Sequence, residues 1–428
     1  MTKGGITVGS SPSIIQGIFG LCSFILFCWL ISENRRKVDV KNILIGLGLQ
    51  VVLAFLILQV DVIKTGFLAV SSAIGTLKDA TTEGTKFVFG YLGGGDVPFE
   101  MKPGASSFIF AFQPLAMVMV VSALSMLLFH WKILPILVRG FSWALRRTLN
   151  IGGALGVCAA AKVFLGQTEA PLLIRPYMAK FSRSELFTVM TAGMATTSAT
   201  IMVLYSTILE NTIANPISHI LTASIISIPA AIVVSRIMIP HVGEDTSGDM
   251  VLPYQFSGAM DAVSTGASEG IKLFLNILAM LIVALALVKL VNMILGAFPD
   301  VVGEPLTLQR IFGVVMAPVA WLMGISWSEA LIAGNLLGTK TVLNEVVAFI
   351  GMAELPKDSL STHSNLIMTY ALCGFANLSS IGIQIGAIGT MVPERRKDII
   401  ALGFRAVIAG TIASCMSGTV VGLLSHVQ

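Results

Sequence analysis

The chain has 428 residues, 55% of them hydrophobic and 12% charged, with a net charge of +4 and a mean hydropathy of +0.87. Soluble domains carry about 25% charged residues, and this composition cannot supply the charged skins that a chain of this length would need in water. A soluble globular protein is excluded, and the small net charge gives no case for nucleic acid.

The expectation is an all-α polytopic membrane protein. Cys22, Cys28, Cys158, Cys373 and Cys415 lie in apolar runs without a C-x-x-C pair. That argues against a disulfide frame or a thiolate metal site.

The first apolar run, residues 13–32, ends at Glu33-Asn34-Arg35-Arg36-Lys37. Its N-terminal flank is nearly uncharged and no small-residue cleavage site follows, so it reads as a span rather than a signal peptide. The basic cluster puts its end in the cytoplasm and the N-terminus outside. Residues 43–60 return outward. Lys64, Lys78, Asp79, Glu83 and Lys86 interrupt residues 62–91, whose apolar residues recur at helical spacing. This stretch reads as an amphipathic interfacial helix. A glycine-rich outer loop runs from Gly93 to Gly104, and a third span covers 108–129. Lys132, Arg139 and Arg146 then share one helix face, with Ile133, Leu137, Phe141 and Leu145 on another. That is a basic interfacial helix.

Residues 151–182 are apolar around Gly166-Gln167-Thr168-Glu169-Ala170-Pro171. Two short arms around a polar tip, with Arg146-Arg147 before and Arg175, Lys180 and Arg183 after, predict a re-entrant hairpin entering from the cytoplasm. Spans follow at 186–208 and 216–235. A polar cytoplasmic loop covers 241–256, an interfacial stretch 257–270 and a span 271–296. Residues 309–350 read as a second hairpin, entering from outside. Its polar centre is Gly324 to Ser328, and its second arm carries Asn335, Lys340, Asn344 and Glu345. Spans 365–392 and 399–424 flank Glu394-Arg395-Arg396-Lys397 and leave the C-terminus outside. The total is about eight transmembrane helices plus two re-entrant hairpins.

The organisation repeats. Hairpin, interrupted span and span occur at 151–235 and again at 309–424, entering from opposite sides. Met194-Ala195-Thr196-Thr197-Ser198 and Gly374-Phe375-Ala376-Asn377-Leu378-Ser379-Ser380 mark the interruptions. Inverted repeats with helices broken near the midplane are a secondary-transporter architecture. The expected division is 1–150 for scaffold spans and interfacial helices and 151–240 for the first repeat. Residues 241–300 form the loop, interfacial helix and scaffold span, and 301–428 the second repeat. The two repeats make the transport domain.

Glu169 and Glu345 place carboxylates at membrane depth, one near each hairpin tip, and are functional candidates. The structural alternative is a pair of internal ion pairs, Glu169 with Lys162 and Glu345 with Lys340. Gln167, Thr168, Asn377 and Ser380 add neutral donors and acceptors. This set suits a neutral ligand rich in hydroxyls or amides; a dicarboxylate or phosphate calls for arginines. Gly93-Gly94-Gly95-Asp96 matches the G-x-G-D string of intramembrane aspartyl proteases, but it lies in a loop and no partner aspartate occurs in a span. An enzyme is therefore disfavoured. There is no P-loop, and the histidines lack metal-ligand spacing, so no cofactor is expected beyond a coupling ion. Gly152-x-x-x-Gly156 and Gly418-x-x-x-Gly422 read as packing sites.

Gly166-Gln167-Thr168-Glu169-Ala170-Pro171, Asn344-Glu345-Val346-Val347-Ala348-Phe349 and Cys373-Gly374-Phe375-Ala376-Asn377-Leu378-Ser379-Ser380, in this order, resemble the concentrative nucleoside transporter family. The likeness extends over nearly the whole chain, including Phe108-Ile109-Phe110 and the basic turn after Pro393. It implies a homotrimer in a bacterial-type inner membrane, importing nucleosides by an elevator-like movement of the transport domain, coupled to a cation gradient. It also implies that Gln167, Thr168 and Glu169 contact the nucleobase. Glu345, Asn377 and Ser380 would hold the ribose hydroxyls, with Phe375 near the pocket.

The chain departs from the family at the ion site. Sodium-coupled members have Asn where this chain has Lys162. The facing segment, usually Ser-Ile-Ala-Gly-like, is Thr196-Thr197-Ser198-Ala199. Sodium needs oxygen ligands and lysine offers only donors. Lys162, Leu165, Thr196 and Thr197 form the candidate ion-coupling set, and protons are favoured over sodium (H+ or Na+ being the coupling ion). The alternatives are an uncoupled facilitator, or a transporter or channel for another polar solute on the same fold.

Overall fold

The computed structural model describes residues 14–101, 107–252, 254–300, 303 and 305–425. Residue 13, where the first span is expected to begin, Gly104 and both termini lie outside these residues. Among the described residues every regular element is helical.

Helices α1 (Ile14–Leu30) and α2 (Val40–Gln59) meet at the basic turn. The Asp39 side chain starts α2 by accepting from Lys41 N and Asn42 N. Residues 62–91 form one long helix, α3 (Asp61–Phe89), as their amphipathic spacing predicts. The third span is shorter than expected. Residues 110–116 are turns, and α4 runs only from Met117 to His130. It meets α5 (Ile133–Leu149) at 76°. Lys132 makes that corner in the left-handed region, with φ 61°. Leu134, Val138, Leu145 and Leu149 fix the buried face of α5.

The first hairpin has the expected two arms around a non-helical tip. They are α6 (Gly153–Ala161), and a 3-10 turn, Ala170–Ile174, continuing into the single turn α7 (Arg175–Met178). The span after it breaks where expected, between α8 (Arg183–Ala195) and α9 (Ala199–Ile208). Thr196 is extended there, and the Ser198 side chain caps α9 by accepting from Ile201 N. Helix α10 (Pro216–Met238) starts on a proline, which suits the first helical position.

One expectation needs refinement and one needs correction. Residues 257–270 and 271–296, expected as an interfacial stretch and a span, are continuous: Ala259–Leu295 is one helix, α11. Its glycines are helix-contact sites: a Cβ on Gly266 would stand 2.6 Å from Ala123 Cα, and one on Gly270 2.7 Å from Met119 Cα. Their small size lets α11 press its backbone onto α4.

The second hairpin has three arms, not two: α12 (Leu308–Leu322), α13 (Trp327–Val342) and α14 (Glu345–Ala353). Gly324, with φ 102°, turns α12 into α13. Ser361 N donates to a Glu329 carboxylate oxygen beside that turn, so Gly324–Ser328 sits level with the segment before α15 and is not the deep tip expected for this hairpin. Glu345 lies away from that turn, at a second break. There Asn344 caps α14, its Oδ1 accepting from Val347 N at 3.0 Å. The last broken span is α15 (Thr362–Leu372) followed by α16 (Leu378–Met391), and α17 (Arg396–Ser425) ends the fold.

Among the described residues, five helical runs are long and apolar enough to cross a membrane, or six if the bent α4–α5 pair is one span. α1, α12 and α16 are shorter apolar helices. The expected spans are therefore not all uninterrupted helices. The breaks between α8 and α9 and between α15 and α16 are the ones that build the site.

Helix α10 packs against α2, α8 and α17. Helix α1 lies along α17, with Gly17 facing Leu423. Its two ends are tied: Gln16 Nε2 donates to Trp321 O at 2.6 Å and to Ile325 O at 3.0 Å, and Glu33 receives Arg183 at 3.0 Å together with Arg405. The first two helices thus pack on α10 and α17.

Candidate functional site

Both broken spans and both hairpins meet in one place. Gly374, in the second break, has no room for a side chain. A Cβ there would stand 2.9 Å from the carbonyl oxygens of Met194 and Ala195, beside the first break. Ala199 N donates to Phe164 O at 3.1 Å, which ties the first break to the tip of the first hairpin.

Glu345 is the first residue of α14, and Asn377 is the N-cap of α16. Asn377 Nδ2 donates to Glu345 Oε2 at 2.8 Å, and Tyr205 Oη donates to Glu345 Oε1 at 2.7 Å. The carboxylate is 5% exposed. Its burial is made tolerable by two donors and by its place at a helix N-terminus, where the backbone dipole favours negative charge. Asn377 Oδ1 accepts from Ser380 N at 2.8 Å. Ser380 Oγ in turn accepts from Gln167 Nε2 at 3.4 Å, and Gln167 Oε1 accepts from Gln384 Nε2 at 3.3 Å. The structure therefore joins Glu345, Asn377, Ser380 and Gln167 in one hydrogen-bonded run drawn from both repeats.

The other expected residues lie around this run. Glu169 folds back on its own tip, its Oε2 accepting from Gly166 N. Thr168, Leu165 and Phe375 are half-buried. Thr196 and Thr197 are buried in the break. Thr196 Oγ1 donates to Ala192 O at 2.8 Å, and Thr197 Oγ1 has no hydrogen bond among the described residues.

Lys162 Nζ donates to Gln167 O at 2.9 Å, and Lys340 Nζ donates to Ala371 O at 2.7 Å. Neither ion pair of the structural alternative, Glu169 with Lys162 or Glu345 with Lys340, is among those formed by the described residues. Gly193 makes room for this cluster. A Cβ there would stand 2.9 Å from Lys162 Nζ and 2.8 Å from Gln384 Nε2.

Two residues of the site escaped the sequence reading. Gln384 is fully buried, donates also to Met190 O at 3.0 Å, and has no partner for its Oε1 among the described residues. A glutamine in the apolar run Ile381 to Ile385 was the available signal. Tyr205 carried none, because a single tyrosine in an apolar helix is ordinary.

A family described as Na+ dependent nucleoside transporter matches the chain, its N-terminal part over residues 19–92 and its C-terminal part over residues 219–422. YutK of Bacillus subtilis, an uncharacterized transporter, is 35% identical over 96% of this chain and 99% of its own length. The nucleoside permease NupC of Helicobacter pylori is 33% identical over 96% of this chain and 98% of its own. The structure of CNTnw in an inward-facing substrate-bound state superposes with a TM-score of 0.88 at 31% identity, covering 97% of this chain and 98% of that one. A variant of CNTnw in an outward-facing state gives a TM-score of 0.87 at the same identity and coverage. These relatives are transporters, which removes the intramembrane-enzyme alternative. With the same fold over nearly its full length and the motif residues gathered at one site, the chain belongs to the concentrative nucleoside transporter family.

Proposed function

We propose that this protein is a secondary active transporter that imports nucleosides across a bacterial-type cytoplasmic membrane. The observation that carries the reading is the buried run Glu345–Asn377–Ser380–Gln167. A carboxylate at one end accepts from sugar hydroxyls, and a carboxamide at the other pairs with the edge of a base. The names of the permease and cotransporter relatives support nucleosides as the cargo.

In this reading the repeats form an elevator, and the α4–α11 pair belongs to a fixed scaffold within a homotrimer. Helices α1 and α2 pack on α10 and α17, which supports counting them with the moving unit in place of a boundary at residue 150. Both termini are outside.

Coupling is to protons. Lys162 brings an ammonium into the core beside Gln167 O, where a sodium site would need oxygen ligands. Sodium coupling is the second reading, favoured by the Na+ dependent description of the family.

The test is uptake of tritiated uridine and adenosine into proteoliposomes. Accumulation in sodium-free buffer with the outside made acid is expected. Accumulation that needs sodium and ignores pH overturns the proton coupling, and equilibration without accumulation points to a facilitator. No nucleoside movement under any gradient, nor in exchange, overturns the cargo.

A further inference from the structure

Tyr205 belongs to α9, in the first repeat, yet its partners belong to the second. Its ring lies against Phe349 of α14, with centroids 4.7 Å apart, and its hydroxyl donates to Glu345 Oε1 at 2.7 Å. Tyr205 and Phe349 are fully buried, and no part of this contact is a surface accident.

The two donors on Glu345 take different oxygens: Tyr205 takes Oε1 and Asn377 takes Oε2. An ionised carboxylate offers about four lone-pair directions, so each oxygen keeps about one open. The terminal torsion of a glutamate is soft. One donor would leave the carboxylate free to turn, whereas a donor on each oxygen fixes its plane. What remains is a rigid pair of acceptors side by side, which matches two hydroxyls on adjacent carbons of a ring.

We propose that Tyr205 is a positioning residue that makes Glu345 selective for an intact vicinal diol, and so for ribonucleosides over deoxyribonucleosides. The proposal rests on the reading of Glu345 as the ribose-binding carboxylate. The competing role is a structural one, in which the hydroxyl only satisfies a buried carboxylate and does not shape selectivity.

Tyr205→Phe separates the two, because it keeps the ring on Phe349 and removes only the donor. Reconstituted wild type, Y205F and E345Q are compared for uptake of uridine, 2′-deoxyuridine and 3′-deoxyuridine. In Y205F the KM for uridine is expected to rise about tenfold, the size of effect of one hydrogen bond to a charged group. The KM for either deoxynucleoside should change far less, so the ratio between them collapses, while Vmax and membrane abundance hold. A lower Vmax with an unchanged KM ratio, or no change at all, overturns the proposal.

E345Q shows which step fails. If it leaves uridine uptake intact, the ribose reading itself is wrong and the Tyr205 proposal falls with it. If E345Q loses the ribose preference and Y205F keeps it, the ribose reading stands and only Tyr205 is misassigned. Should Y205F not fold, competition on the wild type decides. Both deoxynucleosides should compete about tenfold more weakly than uridine, and equal competition overturns the proposal.

Discussion

Asn377 holds Glu345 with one end of its carboxamide and starts α16 with the other: Nδ2 donates to Glu345 Oε2 at 2.8 Å while Oδ1 accepts from Ser380 N at 2.8 Å. Two substitutions separate these duties. Asn377→Asp keeps an acceptor for the cap but sets a second carboxylate against Glu345, so the protein should fold while uridine binding falls at least about tenfold. Asn377→Ala loses both contacts, with about 1 kcal/mol from the cap alone. Thermal melting and uridine binding in detergent measure the two effects. Equal binding by N377D and wild type would remove Glu345 from the ligand's path.

Glu345→Gln keeps the shape of the side chain. It places either an amide donor opposite Asn377 Nδ2 or one opposite the Tyr205 hydroxyl, and both arrangements lose a bond to charge worth about 1.5–3 kcal/mol. Uridine uptake should drop by about tenfold or more while the amount of protein in the membrane is unchanged. Undiminished uridine binding would sink the assignment.

Lys162→Asn removes the ammonium that donates to Gln167 O. Accumulation driven by an acid exterior should disappear, while exchange of labelled for unlabelled uridine across the membrane continues. Persistent acid-driven accumulation in this variant would place the coupling proton elsewhere.

Gly374→Ala pushes a Cβ to 2.9 Å from two carbonyl oxygens and 2.8 Å from Ser414 Oγ. Backbone cannot give way there, and the expected destabilisation is about 1–3 kcal/mol. Gly382, on the exposed side of α16, has open space around its Cβ position. Gly382→Ala should be neutral or gain up to about 1 kcal/mol from helix propensity. The same melting temperature for both variants would contradict the close crossing of the two breaks.

The first hairpin is expected to keep both feet in the cytoplasm. Arg147 and Lys180 flank it and are exposed. On the other side, Ser361 N donates to a Glu329 carboxylate oxygen at 3.1 Å, which places the α12–α13 turn level with the segment before α15. In a background without the exposed Cys22, single cysteines at Arg147 and Lys180 should label from the cytoplasm. Those at Trp327 and Pro356 should label from outside. Labelling of Arg147 and Lys180 from opposite faces would mean a full crossing and would end the inverted-repeat reading.

Much of this protein was legible locally. Polar residues inside apolar runs are costly at membrane depth, so Gln167, Glu169, Glu345, Asn377 and Ser380 stood out without any knowledge of the fold. The breaks at 196–198 and 373–377 were legible for the same reason, because small and capping residues replace helix formers there.

Tertiary structure decided what depends on a distant partner. Glu345 marks its own break, not the turn at Gly324: the Asn344 cap is local, but packing of α14 against α9 and α15 is what brings that break to the site. Residues 257–270 join one long helix because Gly266 and Gly270 find the backbone of α4 to lie against. The Glu345–Tyr205 bond spans 140 residues of chain, and Lys162 and Lys340 chose carbonyls over the nearby carboxylates. Which donor meets which acceptor across that distance is set by helix packing, and composition and spacing along the chain carry no record of it.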